Sequence, residues 1–114
     1  MKSDCIFCKI INKEIPSKVI YESAFFIAIN NINPKAPIHL LIMPKKHIEK
    51  VDSISGKIKD LWSDMMLFTN EVIKAKNLDK TGYRIVNNGA GYQGIDHEHI
   101  HLMGGFNWAP DDDL

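Results

Sequence analysis

The chain has 114 residues, 14 Lys+Arg against 14 Asp+Glu, 45% hydrophobic and 25% charged residues. That is the length and composition of one globular domain spanning 1–114, and zero net charge argues against a nucleic-acid binder that works by bulk electrostatics. No run approaches the roughly 18 apolar residues of a transmembrane helix, and Met1-Lys2-Ser3-Asp4-Cys5 lacks the apolar stretch of a secretory leader, so the cytosol is the expected setting, with no membrane partner.

In chain order, Cys5–Glu14 reads as a short helix with Ile6, Ile10 and Phe7 on one face and Pro16 closing it. Lys18–Glu22 and Phe25–Ile29 are rich in β-branched and aromatic residues around Glu22-Ser23, which predicts a tight antiparallel pair. Two prolines and three asparagines between Asn30 and Pro37 mark a loop, and His39–Met43 is an apolar strand stopped by Pro44. Ile54, Ile58, Leu61, Met65, Phe68, Val72 and Ala75 recur at steps of four and three, which predicts a helix over 55–76 with Asp52, Ser53 or Ser55 as its cap. Asp79–Gly82 turns the chain into a strand at Tyr83–Val86. A loop with glycines at 89, 91 and 94 then leads to a last strand, His97–Met103. The fold class is α+β: an antiparallel sheet of about five strands with one long and one short helix.

Three of the five histidines fall in His97-Glu98-His99-Ile100-His101. On a strand, alternate side chains share a face at a spacing of roughly 6.6 Å, so the imidazoles would form one exposed row with Ile100 and Leu102 turned into the core. A solvated polar face is the plainest reading. A catalytic metal is a second, but the spacing is too wide for all three rings to reach one zinc at about 2.0–2.1 Å. In the third, one neutral imidazole attacks phosphorus while its neighbours bind phosphate oxygens, and the glycine loop brings backbone N–H groups close.

The segment His97-Glu98-His99-Ile100-His101-Leu102-Met103-Gly104-Gly105 resembles the histidine triad signature, with the Gly-Gly of that family's nucleotide-binding branch. The resemblance extends through Cys5-Ile6-Phe7-Cys8-Lys9-Ile10-Ile11, Lys13–Ser17, Asn33–Pro37 and His39–Ile48, in the family's order. It implies a homodimeric enzyme that hydrolyses nucleoside phosphoramidates or acyl-nucleotides, with a purine nucleotide (an AMP or GMP derivative) as ligand. Dinucleoside polyphosphate hydrolysis and non-catalytic nucleotide binding are the alternatives; Gly104-Gly105 favours the phosphoramidates. Carried over, His99 is the nucleophile that becomes nucleotidylated, His101 contacts the phosphate, and His39 fixes the tautomer of His99. Ile6, Phe7, Ile10, Ile29 and Ile32 match the apolar wall of the purine pocket, and ordinary core packing explains them equally well.

The chain departs from the family pattern at Glu98, where an apolar residue is usual, and at Tyr92 and Gly94, which flank the phosphate-side Gln93. Asn31 stands where an acidic residue usually grips the ribose. The site asparagine is Asn87 by the Asn-x-Gly spacing or Asn88 by counting from Gly82, and the count is preferred because deletions sit more easily in loops.

Cys5-x-x-Cys8 by spacing suits either redox chemistry or a metal, and the N-terminus lacks the βαβ setting of a redox motif. With His47 and His97 the pair makes a Cys2His2 set, the one that resemblance to bacterial family members implies for a structural zinc. Lys45-Lys46 reads as a solvated run that could draw in an anion. Trp108 and Pro110 are placed near an interface, and the acidic tail 109–114 as a frayed end.

Overall fold

The structure, a computed structural model, describes residues 4–105; Trp108, Pro110 and the acidic tail lie outside them. Helix α1 covers Ile6–Ile11 and strands β1, β2 and β3 cover Val19–Glu22, Phe26–Asn30 and Ile38–Pro44. Three helices follow, α2 at Lys50–Ser53, α3 at Leu61–Ala75 and α4 at Leu78–Thr81, then β4 at Tyr83–Val86 and β5 at Ile100–Gly104. The five strands form one sheet in the order β1-β2-β3-β5-β4, every pair antiparallel, as the α+β reading expects.

Alternation along the strands sorts side chains onto two faces. Phe26, Ala28, Leu40, Ile42, Ile100 and Leu102 face α3 and join its Leu61, Met65, Phe68, Val72 and Ile73 in the larger core. Ile27, Ile29, Leu41 and Met43 face the other way, onto Cys5, Phe7 and Cys8 of the N-terminal turn. His39 and His101 share that second face by parity, and the β3–β5 register sets His101 opposite Leu41 and His39 opposite Met103.

Three expectations are corrected. The long helix starts at Leu61, not residue 55, because Gly56 (φ 79°) and Asp60 (φ 60°) both take left-handed backbone that breaks the helical ladder. Ile54 and Ile58 therefore leave the buried stripe and are exposed, Ala75 is exposed at the far end, and Lys50–Ser53 forms its own short helix. The turn at 79–82 is a helical turn with Leu78 fully buried beneath it. The last strand begins at Ile100, so His97 and His99 precede it, and both are buried rather than set on an exposed row.

Candidate active site and metal centre

A cleft of about 340 Å³ opens between α1, the loop after β2 and the glycine-rich loop. Ile6, Phe7, Ile10, Ile29 and Ile32, the five residues matched to an apolar wall, all line it, together with Asn31 and Gln93. His99 and His101 form its polar floor. Phe7 sets its edge against the His99 ring, centroids 5.0 Å apart, and the rings of His99 and His101 stand 5.2 Å apart.

Hydrogen bonds fix which nitrogen of each imidazole carries the proton. His99 Nδ1 lies 2.8 Å from the carbonyl oxygen of His97, which can only accept, so Nδ1–H donates and Nε2 keeps its lone pair. The Lys35 N–H donates to His39 Nδ1 at 2.9 Å, so neutral His39 carries its proton on Nε2 and passes it as a hydrogen bond to His101 Nδ1 at 2.8 Å. His101 is left with Nε2–H, a donor. Burial holds the imidazoles of His99 and His39 below their ordinary pKa, and His101 is pushed down to about 4 by burial and by its two neighbouring histidines. The site thus pairs a bare nitrogen with a neighbouring donor. The expectation that His39 orients His99 is corrected: His39 orients His101, and the His97 carbonyl orients His99.

The remaining substrate-side candidates separate. Asn31 Oδ1 accepts the Asn33 N–H at 2.9 Å, and Asn31 Nδ2 stands 3.4 Å from His39 Nε2. The Gln93 carboxamide turns back into its loop, accepting from Gly91 N–H at 2.8 Å and meeting Asp96 at 3.4 Å. Neither Asn87 nor Asn88 lines the cleft. Asn87, not the preferred Asn88, reaches the triad, where its Nδ2 donates to the His99 carbonyl at 2.9 Å.

Glu98 explains itself in three dimensions. Its carboxylate is buried and meets Lys50 Nζ at 2.7 Å, and it also accepts from the Ser53 hydroxyl and from Asn87 Nδ2. Burial raises its pKa, but these donors outweigh burial and hold it below the usual carboxylate range. Lys50 also lies 5.3 Å from the centre of the Trp62 ring, and Trp62 Nε1–H donates to the Ser53 carbonyl. Sequence reasoning missed Lys50, Ser53 and Trp62. The one available signal was a carboxylate at an inward position, which requires a buried partner.

Cys5, Cys8, His47 and His97 converge with their donor atoms all within 4.8 Å of one another, a group able to hold a metal ion. His97 Nε2–H donates to the Pro44 carbonyl at 2.8 Å, which turns its Nδ1 lone pair toward Cys5 Sγ (3.5 Å) and Cys8 Sγ (3.6 Å). His47 Nδ1 is 3.3 Å from Cys8 Sγ, and its Nε2 is 3.5 Å from the Glu49 carboxylate. Sulfur and nitrogen ligands of a tetrahedral zinc stand roughly 3.6 Å apart, so the donor set fits that ion in kind and spacing.

The family model of the HIT domain matches residues 12–108. Protein HitA of Neisseria gonorrhoeae is 40% identical over 102 residues, 89% of this chain and 95% of that one. A histidine triad protein from Clostridium difficile superposes with a TM-score of 0.86 at 40% identity, covering 96% of each chain. A HIT family hydrolase from Clostridium thermocellum gives 0.86 at 38% identity, covering 98% of this chain and 99% of that one. A fold shared with these solved structures, a family model matched over most of the sequence and relatives of nearly equal length make this chain a member of the HIT family.

Proposed function

We propose that the chain hydrolyses nucleoside 5′-monophosphate derivatives, phosphoramidates and acyl-nucleotides, through a nucleotidyl intermediate on His99. One observation carries the reading: His99, with a bare Nε2, and His101, with an Nε2–H donor, both line one apolar cleft with their rings 5.2 Å apart. The cleft suits a planar purine, held between Ile6, Phe7 and Ile32. His99 Nε2 attacks the α-phosphorus while His101 donates to a phosphoryl oxygen. The P–N or P–O bond to the leaving group breaks with its electron pair, and the leaving group takes a proton from solvent. The ring becomes cationic, and its Nδ1–H bond to the His97 carbonyl stabilises that charge. Water then attacks phosphorus and gives up a proton to solvent, the P–N bond to His99 breaks with its electron pair returning to Nε2, and the nucleoside monophosphate leaves.

Cys5, Cys8, His47 and His97 would hold zinc, which supplies structural cross-linking there. That assignment leaves His99 and His101 free for substrate. A homodimer is the expected form, on the family resemblance.

The test is release of AMP from adenosine 5′-phosphoramidate by the native protein and by His99→Ala. Native turnover should fall by at least about 10³-fold in the variant, with AMP binding retained. Turnover that survives the substitution overturns covalent catalysis. AMP binding without turnover in either protein would favour a nucleotide-binding role, consistent with Gly94 beside a Gln93 already engaged in its own loop.

A further inference from the structure

His99 lies one residue before Ile100, where pairing with β3 begins, and two before His101, where pairing with β4 begins. Both polar groups of its main chain take side-chain partners: the N–H donates to Glu98 Oε1 at 3.1 Å and the carbonyl accepts from Asn87 Nδ2 at 2.9 Å. Those partners are themselves tied together. Asn87 Nδ2 donates to Glu98 Oε1 at 2.7 Å, and Lys50 Nζ donates to both Asn87 Oδ1 (2.7 Å) and Glu98 Oε1 (2.9 Å). Gly89 lies over the Lys50 stem, where an added Cβ would stand 3.4 Å from Cδ and Cε. Thus α2, the loop after β4 and the lead into β5 all meet at the nucleophile's peptide.

A buried Lys–Glu pair rarely stabilises more than apolar residues of the same volume, because each charge is stripped of water. Stability alone therefore gives little reason for Lys50 and Glu98 here. None of Lys50, Asn87 and Glu98 lines the cleft, so contact with substrate does not explain them either. We infer that Glu98, Asn87 and Lys50 are positioning residues that lock the His99 main chain and so aim its Nε2 at the cleft. They govern turnover rather than substrate binding. The inference rests on His99 being the nucleophile, as proposed above.

Asn87 is exposed enough for Asn87→Ala to leave the core intact. With adenosine 5′-phosphoramidate, this variant should lose between about tenfold and 100-fold in kcat, the cost of a small misalignment, with KM within about twofold of native. Exchange of the His99 amide proton, followed by NMR, should quicken at least about tenfold while the Leu102 amide stays protected. Glu98→Gln keeps an acceptor for the His99 N–H and should lose less than Asn87→Ala. Val72→Ala, which opens a cavity in the opposite layer, should lower Tm yet leave kcat and His99 exchange alone. Native kcat with native His99 exchange in Asn87→Ala overturns the inference, as does a rise in KM alone. Should the native protein fail to turn the substrate over, the hydrolase reading falls, and unchanged His99 exchange in Asn87→Ala would still refute the lock.

Discussion

At the scale of single residues, four of the five histidines divide by the partner of their second nitrogen. A carbonyl behind His97 and another behind His99 leave each a bare nitrogen, turned toward two thiols in one case and the cleft in the other. His39 accepts from a backbone N–H and so makes His101 a donor. Keeping these rings neutral has a pH consequence. His101 titrates at about 4 in the folded protein, and an unfolded imidazole near about 6.5, so the unfolded chain binds more protons between those values. Stability should be level above about pH 6.5 and fall as the pH drops toward about 4. The lowered pKa of Glu98 adds to the loss in acid. Melting followed by circular dichroism across that range should show the slope, and His101→Asn should flatten it. A Tm that rises on acidification would contradict the neutral triad.

At the scale of elements, the sequence marked strands well and helix ends poorly. The inner strands Phe26–Asn30 and Ile38–Pro44 are apolar runs buried on both faces, the edge strands Val19–Glu22 and Tyr83–Val86 are only partly buried, and all four are short segments rich in β-branched, aromatic or other apolar residues. The start of α3 failed because the apolar period continues through Ile54 and Ile58 while the backbone does not. Gly104 shows the opposite case, a position whose need is invisible in sequence. A Cβ there would stand 2.6 Å from Leu78 Cδ2 and 3.2 Å from the Gly82 carbonyl oxygen. Gly104 thus lets α4 pack on β5, a structural duty beside its place in the family signature. Gly104→Ala should destabilise the fold by about 1–3 kcal/mol, through overpacking against Leu78. Urea denaturation measures this, and Leu78→Ala in the same chain should recover part of the loss. An unchanged midpoint would mean that α4 moves aside freely.

At the scale of the molecule, one face of the sheet is covered by the long α3 and the other by the six residues of α1. That thinner layer carries the cleft and the Cys2His2 group, which joins the N-terminal turn to the chain after β3 and to the lead into β5. A metal there would add to the cover that α1 alone provides. Cys8→Ser should therefore lower zinc content and Tm together, the latter by more than about 5 °C. Metal analysis beside calorimetry tests it, and native zinc stoichiometry in the variant would remove the site. Among the described residues no helix is long and apolar enough to cross a membrane.

The sequence by itself determined the α+β class and the strand cores, which depend on residue type at short spacing; the apolar wall and the four candidate metal ligands came from the resemblance of its motifs to a family. Only the tertiary structure decided which groups meet. His39 reaches His101 rather than His99 because β3 and β5 pair in a particular register. Asn87 rather than Asn88 serves the triad because the chain leaves β4 after Val86, which puts the Asn87 side chain within reach of the His99 carbonyl. Glu98 is tolerable inside because Lys50, 48 residues earlier, is brought against it. Contacts between residues far apart in the chain follow from strand register and helix placement, which local pattern does not encode.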